Sequence, residues 1–183
     1  GKTLRDIAGE SLRIKDVLGF VIQACDAISA AHDSGIIHRD IKPENIMITA
    51  EKSVKILDFG LAKLKQSMSS NHKLTGLFGS ALITTPGLII GTVAYMSPEQ
   101  AENKTLDERT DIWSLGVLFY EMLSGKHPFH KESNIETLHF ILKEEPENLA
   151  EVKVSLPPMV YDIVLKCIAK KPNERFQTAD ELL

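Results

Sequence analysis

Cysteine is almost absent from this chain. Its 183 residues include two, Cys25 and Cys167, far apart and in no C-x-x-C pair. That excludes a disulfide framework or a clustered zinc site and makes a reducing compartment the default. Glycine (11) and proline (8) are also sparse, too few for collagen-like or low-complexity sequence. No apolar run reaches the roughly 20 residues that a bilayer-spanning helix needs. The opening stretch from Gly1 to Glu10 mixes charges around no apolar core and does not read as a secretory signal. A basic excess is missing too: 21 Lys and Arg against 25 Asp and Glu leave a net charge of −4, which argues against nucleic acid as a partner. What remains is 43% hydrophobic and 25% charged, the make-up of one compact, soluble domain expected in the cytoplasm. A domain of this size buries roughly 70% of its unfolded surface, so its core needs no covalent staple. No internal repeat is visible.

Apolar spacing predicts a mostly helical chain with a small β ribbon. One helix runs from about Ile14 to Ala31, with Leu18, Val21, Ile22, Cys25, Ile28 and His32 on a three-and-four spacing and Gly35 suited to its left-handed end. A second, from about Asp111 to Leu123, is apolar on nearly every side and is expected to be the buried hub, with Gly125 ending it. A third spans about Met159 to Ala169, and a shorter one 133–143. Thr178-x-x-Glu181 reads as a capping box opening a last helix that the chain does not complete. Asn45–Thr49 and Ser53–Leu57 alternate like the strands of a hairpin, and 61–96 reads as a long loop.

The chemistry concentrates beside that hairpin. The sequence reads His38-Arg39-Asp40-Ile41-Lys42-Pro43-Glu44-Asn45 and, after the hairpin, Asp58-Phe59-Gly60. Further along come Gly91-Thr92, Ser97-Pro98-Glu99, Asp111-x-Trp113-Ser114-x-Gly116 and Arg175. An aspartate in a turn is by itself more often a cap than a base. Together and in this order, these motifs resemble the protein kinase superfamily along the whole chain, with H-R-D-x-x-x-x-N, D-F-G and a Ser for the family's A-P-E alanine. The wording Gly-Thr-Val-Ala-Tyr-Met-Ser-Pro-Glu-Gln is similar to bacterial eukaryotic-like serine/threonine kinases. The implied fold is the kinase C-terminal lobe over 1–183, with an activation segment over 58–99.

The resemblance implies a role for each matched residue. Asp40 is the carboxylate that orients the attacking hydroxyl, and Lys42 a compact positive charge near the transferred phosphate. Asn45 and Asp58 are oxygen ligands for Mg²⁺ or Mn²⁺ carried with ATP. Lys42, Glu44, Asn45, Met47 and Asp58 form the expected nucleotide-side set, with Met47 beneath the adenine ring. Glu44 is also weighed as a contact for basic residues of a target. Gly91 and Thr92 belong to the platform that receives a protein substrate, and Lys42 with Thr92 points to a Ser/Thr acceptor. Arg39, with Lys63 as a second partner, is expected to pair with a phosphate on Thr84 or Thr85. His38 and Phe59 are expected in a regulatory stack anchored by Asp111, and Glu99 with Arg175 in a buried ion pair.

Some family parts are not in this sequence. There is no G-x-G-x-x-G, no strand with the phosphate-binding lysine and no partner glutamate. The expectation is therefore a large lobe whose N-terminal lobe is a missing partner, so that the isolated polypeptide is not competent. Membrane tethering is left to segments outside this window. A non-catalytic scaffold is the rival reading, which loss of Asp40, Asn45 or Asp58 would have favoured. A small-molecule phosphotransferase is disfavoured by Lys42 and the platform.

Overall fold

A computed structural model describes residues 1–7, 12–59, 93–149 and 156–183. Gly60, Lys63, Thr84, Thr85, Gly91 and Thr92 lie outside the described residues.

The elements run β1 (Lys2–Thr3), α1 (Leu4–Ile7), α2 (Ile14–Asp33), a 3-10 turn (Pro43–Asn45), β2 (Ile46–Ile48) and β3 (Val54–Ile56). After a second 3-10 turn (Val93–Tyr95) come α3 (Pro98–Ala101), α4 (Arg109–Ser124), α5 (Asn134–Lys143) and α6 (Pro158–Cys167), then short 3-10 turns at Pro172–Glu174 and Asp180–Leu182. The expected ribbon is present as β2–β3, paired antiparallel with Met47 opposite Lys55. It gains a third strand, since β1 pairs with β2 and sets Thr3 opposite Met47. Two residues carry no readable alternation, which is why β1 left no mark in the sequence pattern.

Helix α4 is the hub. Twelve of its 16 residues are buried, and it is shared by two apolar clusters. Leu115 and Leu118 face Phe20, Ala24, Cys25 and Ile28 of α2 and Ile41, Ile46 and Ile48 around the hairpin. Ile112, Trp113, Val117 and Tyr120 face Phe129, Ile141 and the α6 residues Val160, Val164 and Cys167. A helix with a core on each side has no face left for water, hence its apolar circumference. The close fit to α6 depends on Gly116, where a Cβ would lie 2.4 Å from the Cβ of Cys167. Gly35 and Gly125 follow their helices with φ of 71° and 73°, the left-handed backbone that ends a helix.

Two expectations need correction. Ile22 is 47% exposed, because the buried stripe of α2 runs through Val17, Phe20, Ala24, Cys25 and Ile28 and leaves Ile22 on the solvent edge. The capping box at Thr178 and Glu181 does not form. The Glu181 carboxylate instead accepts from the Gln177 N–H at 2.9 Å, and only the 3-10 turn Asp180–Leu182 follows. Among the described residues, no helix is long and apolar enough to cross a membrane.

Candidate active site

The polar loop from His38 to Asn45 leaves α2 and enters β2, and its shape is fixed by one buried carboxylate from the hub. Asp111, fully buried in the first turn of α4, accepts from the His38 N–H (Oδ2, 2.8 Å) and the Arg39 N–H (Oδ1, 2.8 Å). Its Oδ2 also meets His32 Nε2 at 2.9 Å. These donors hold Arg39 at φ 67°, a left-handed conformation that a long side chain adopts only when its surroundings impose it.

His38 carries the order outward. Its Nε2 faces the Leu57 carbonyl at 2.9 Å, and its Nδ1 accepts from the Asp40 N–H at 3.2 Å. A carbonyl only accepts, so the ring is neutral with its proton on Nε2. The Phe59 ring packs on it with centroids 4.8 Å apart. His38 thus ties the Asp40 loop to the segment that leads into Asp58.

Asp40, Lys42 and Asn45 converge. Lys42 Nζ donates to Asp40 Oδ2 at 2.8 Å, and Asn45 Nδ2 donates to the Asp40 carbonyl at 2.8 Å and to its Oδ2 at 3.2 Å. Asn45 is buried, and its carbonyl accepts from the Leu57 N–H at 2.8 Å, which brings it beside the strand end carrying Asp58. Asp58 itself is exposed, at φ 57°. Both side chains offer oxygen, as a hard cation requires. Among the described residues, no three His, Cys, Asp or Glu side chains gather into a metal cage. Met47 is half-buried on β2, in contact range of the backbone at Gly1. Glu44 points away from this cluster, its Oε1 accepting from Arg5 Nε at 2.8 Å.

The other half of the site rests on Glu99 and Arg175. Their contact is bidentate, Nη1 to Oε1 at 2.7 Å and Nη2 to Oε2 at 2.8 Å. The remaining guanidinium donors reach the carbonyls of Ala169 (2.8 Å), Arg109 (3.0 Å) and Lys170 (3.2 Å). The guanidinium also lies over the Trp113 ring, 5.1 Å from its centroid. Every N–H of a buried Arg175 is thereby used. Glu99 opens α3, whose first turn is closed by a reciprocal capping box between Ser97 and Gln100. The S-x-x-Q signal for it stands in the sequence. Gln100 Nε2 donates to the Arg39 carbonyl at 2.9 Å, so the two halves of the site touch.

Sequence reasoning did not find Arg5 and Tyr95. Arg5 Nη2 donates to the Tyr95 hydroxyl at 3.3 Å, and that hydroxyl donates to Glu121. Partners 90 residues apart leave no local signal.

The model for the protein kinase domain matches residues 2–183. The chain belongs to the protein kinase family. Its whole length is 36% identical to the serine/threonine-protein kinase PknB of Mycolicibacterium smegmatis, of which it covers 28%. It is 37% identical to a probable serine/threonine-protein kinase of Clostridium acetobutylicum (26% of that protein) and to the probable PknB of Corynebacterium glutamicum (27%). The chain thus spans about a quarter of the length of the curated relatives it matches. The helical lobe with its small sheet is the kinase fold that the motifs implied.

Proposed function

We propose that this kinase chain serves as the large lobe of a serine/threonine protein kinase that moves the γ-phosphate of ATP to a protein hydroxyl. The observation that carries the reading is the convergence of Lys42 and Asn45 on the Asp40 carboxylate. The Asp40 carboxylate accepts the hydrogen bond of the incoming Ser or Thr and takes its proton as the new O–P bond forms and the bond to the ADP leaving group breaks. Lys42 supplies positive charge beside the same oxygen, where negative charge gathers during transfer. Asn45 and Asp58 would hold Mg²⁺, which when bound neutralises the phosphate oxygens. Met47, on β2, supports the adenine side of the proposal. Gly91 and Thr92 lead into Val93–Tyr95 and α3, which supports their place on the substrate platform. Control by phosphate on Thr84 or Thr85, paired with Arg39, belongs to the same proposal, as does a cytoplasmic setting, where ATP is supplied.

The test is Asp40→Asn in the full-length protein that carries this chain, followed by transfer of labelled phosphate to a protein acceptor. The expected loss is about 10²–10⁴-fold, with the melting temperature unchanged. Transfer at the unmodified rate overturns the reading.

A further inference from the structure

The peptide unit between Arg39 and Asp40 is gripped at both of its polar ends. Its carbonyl accepts from Gln100 Nε2 at 2.9 Å, and its N–H donates to His38 Nδ1 at 3.2 Å. The Gln100 amide has one workable orientation. Its Oε1 faces the Ser97 N–H at 3.0 Å, which can only donate, and its Nε2 faces a carbonyl, which can only accept. The buried Ser97 hydroxyl accepts in turn from the Gln100 N–H at 3.2 Å and lies 2.6 Å from the Thr110 hydroxyl, in the first turn of α4. The next residue of α4 is Asp111, which accepts from the Arg39 N–H at 2.8 Å. These bonds close a ring: from the Arg39 N–H to Asp111, along the hub to Thr110, across to Ser97, and through Gln100 back to the Arg39 carbonyl.

The ring acquires a purpose on the kinase reading above, on which this inference rests. Arg39 sits at φ 67°, a backbone that persists only while its surroundings impose it. Asp111 holds the peptide plane before its Cα and Gln100 the plane after it, so the two together fix both dihedral angles. A turn of the second plane swings the Asp40 Cα and with it the carboxylate. Gln100 also lines the same cleft as Asp40, Tyr95 and Met96. We propose that Gln100 is a positioning residue for Asp40: through one hydrogen bond it carries the placement of α3 and the substrate platform to the backbone of the Asp40 loop, and it touches no reacting atom itself. Its oxygen serves the cap of α3 and its nitrogen serves the loop. The contact with Arg39 is exposed, so water can satisfy that carbonyl in place of Gln100, but water does not fix its direction. Loss of the bond is therefore read in rate and in loop order.

The experiment compares the full-length protein that carries this chain with its Gln100→Glu and Gln100→Met variants. Glutamate keeps the cap, because S-x-x-E closes the same box, but it sets an acceptor against the Arg39 carbonyl. Methionine keeps the length of the side chain and removes both bonds without adding charge. Transfer of phosphate from ATP to a Ser-containing protein acceptor is followed by mass spectrometry, and loop order by amide hydrogen exchange. Gln100→Glu should keep the melting temperature and the KM for ATP and lose roughly three- to tenfold in kcat, the worth of one hydrogen bond. Residues 37–45 should exchange faster in it, while 97–101 stay as protected as before. Gln100→Met should show the same fall in kcat with a lower melting temperature. Transfer by Gln100→Glu at the unmodified rate overturns the proposal, since glutamate replaces without loss a residue that only caps α3. A slow Gln100→Glu beside a Gln100→Met of unmodified rate overturns it as well, because the added charge is then the cause. If Gln100→Met fails to fold, exchange over 37–45 in Gln100→Glu decides, and an unchanged pattern there overturns the proposal. If the unmodified protein transfers phosphate to no acceptor, the kinase reading falls, and the exchange comparison still decides whether Gln100 holds the loop.

Discussion

Two buried carboxylates hold the two halves of this site, and they are neutralised in opposite ways. Asp111 lies under the Asp40 loop and meets neutral dipoles, the amides of His38 and Arg39, with the His32 ring beside them. Glu99 lies under the platform and meets a full positive charge, the guanidinium of Arg175. Amides grip the chain where they stand, so Asp111 dictates a backbone conformation. The Glu99–Arg175 pair joins residues 76 apart and dictates how two elements sit together, the guanidinium also gathering the carbonyls of Ala169, Lys170 and Arg109 around it. A charge neutralised by dipoles fixes shape; a charge neutralised by a charge fixes assembly.

The widest separation between the two anchors should come from removing the cation. Arg175→Met leaves Glu99 buried without its counter-charge and should cost about 3–5 kcal/mol, seen as a lower urea midpoint at constant slope. Adding Glu99→Leu to that variant should restore most of the loss, because a buried pair replaced as a unit is close to neutral. A double variant as unstable as the single one would break the comparison. Asp111→Asn should be milder. It keeps the shape but turns one acceptor oxygen into a donor facing an amide, for about 1–3 kcal/mol. Its distinguishing sign is in transfer rate: phosphate transfer should fall by more than the loss of folded protein accounts for, since Asp40 moves with the loop.

Acid should separate the two halves least, and on the platform side. Burial, with His130 and Arg5 nearby, lowers the His127 pKa from 6.5 to about 3. On acidification the unfolded chain therefore takes up a proton that the folded chain refuses. The His127 contribution to stability is nearly flat above pH 6.5 and falls from there towards pH 3, by about 1 kcal/mol near pH 5.5. His127→Asn keeps an acceptor for the Phe129 and His130 amides, at 3.1 and 2.9 Å. It should flatten that part of the stability profile, measured by urea unfolding from pH 7 to 5.

What the sequence revealed follows the range of each interaction. The hub helix was legible because packing on all sides writes an apolar circumference, and α2 because its core stripe repeats every turn. The Asp40 loop was legible as a motif, since its chemistry needs fixed residue types at fixed spacing. Strand β1 was not, because its pairing with β2 is backbone chemistry that any side chains at 2 and 3 would permit. The cap at Ser97 was written in the sequence, yet Thr178 carries a signal as good and forms no cap, since Glu181 found a different amide. A local motif states what is possible, and the surrounding packing chooses. Arg5 stayed hidden because its meaning depends on residues 39 and 90 positions away.

The two cysteines lie one in each apolar cluster, Cys25 under the Asp40 loop and Cys167 against Gly116 under the platform. Both are buried. Burial pushes the Cys25 thiol up to about 12 and raises that of Cys167 as well. In the closed protein neither is reachable, and neither is a thiolate at neutral pH, so alkylation has to wait for an opening event. The chain thus carries two built-in clocks, one in each apolar cluster and close enough for Cys25 to bear on the Cys167 thiol, started by a single reagent and told apart by the peptide that bears the label. Equal ticking means the two clusters open together; unequal ticking means that they breathe separately.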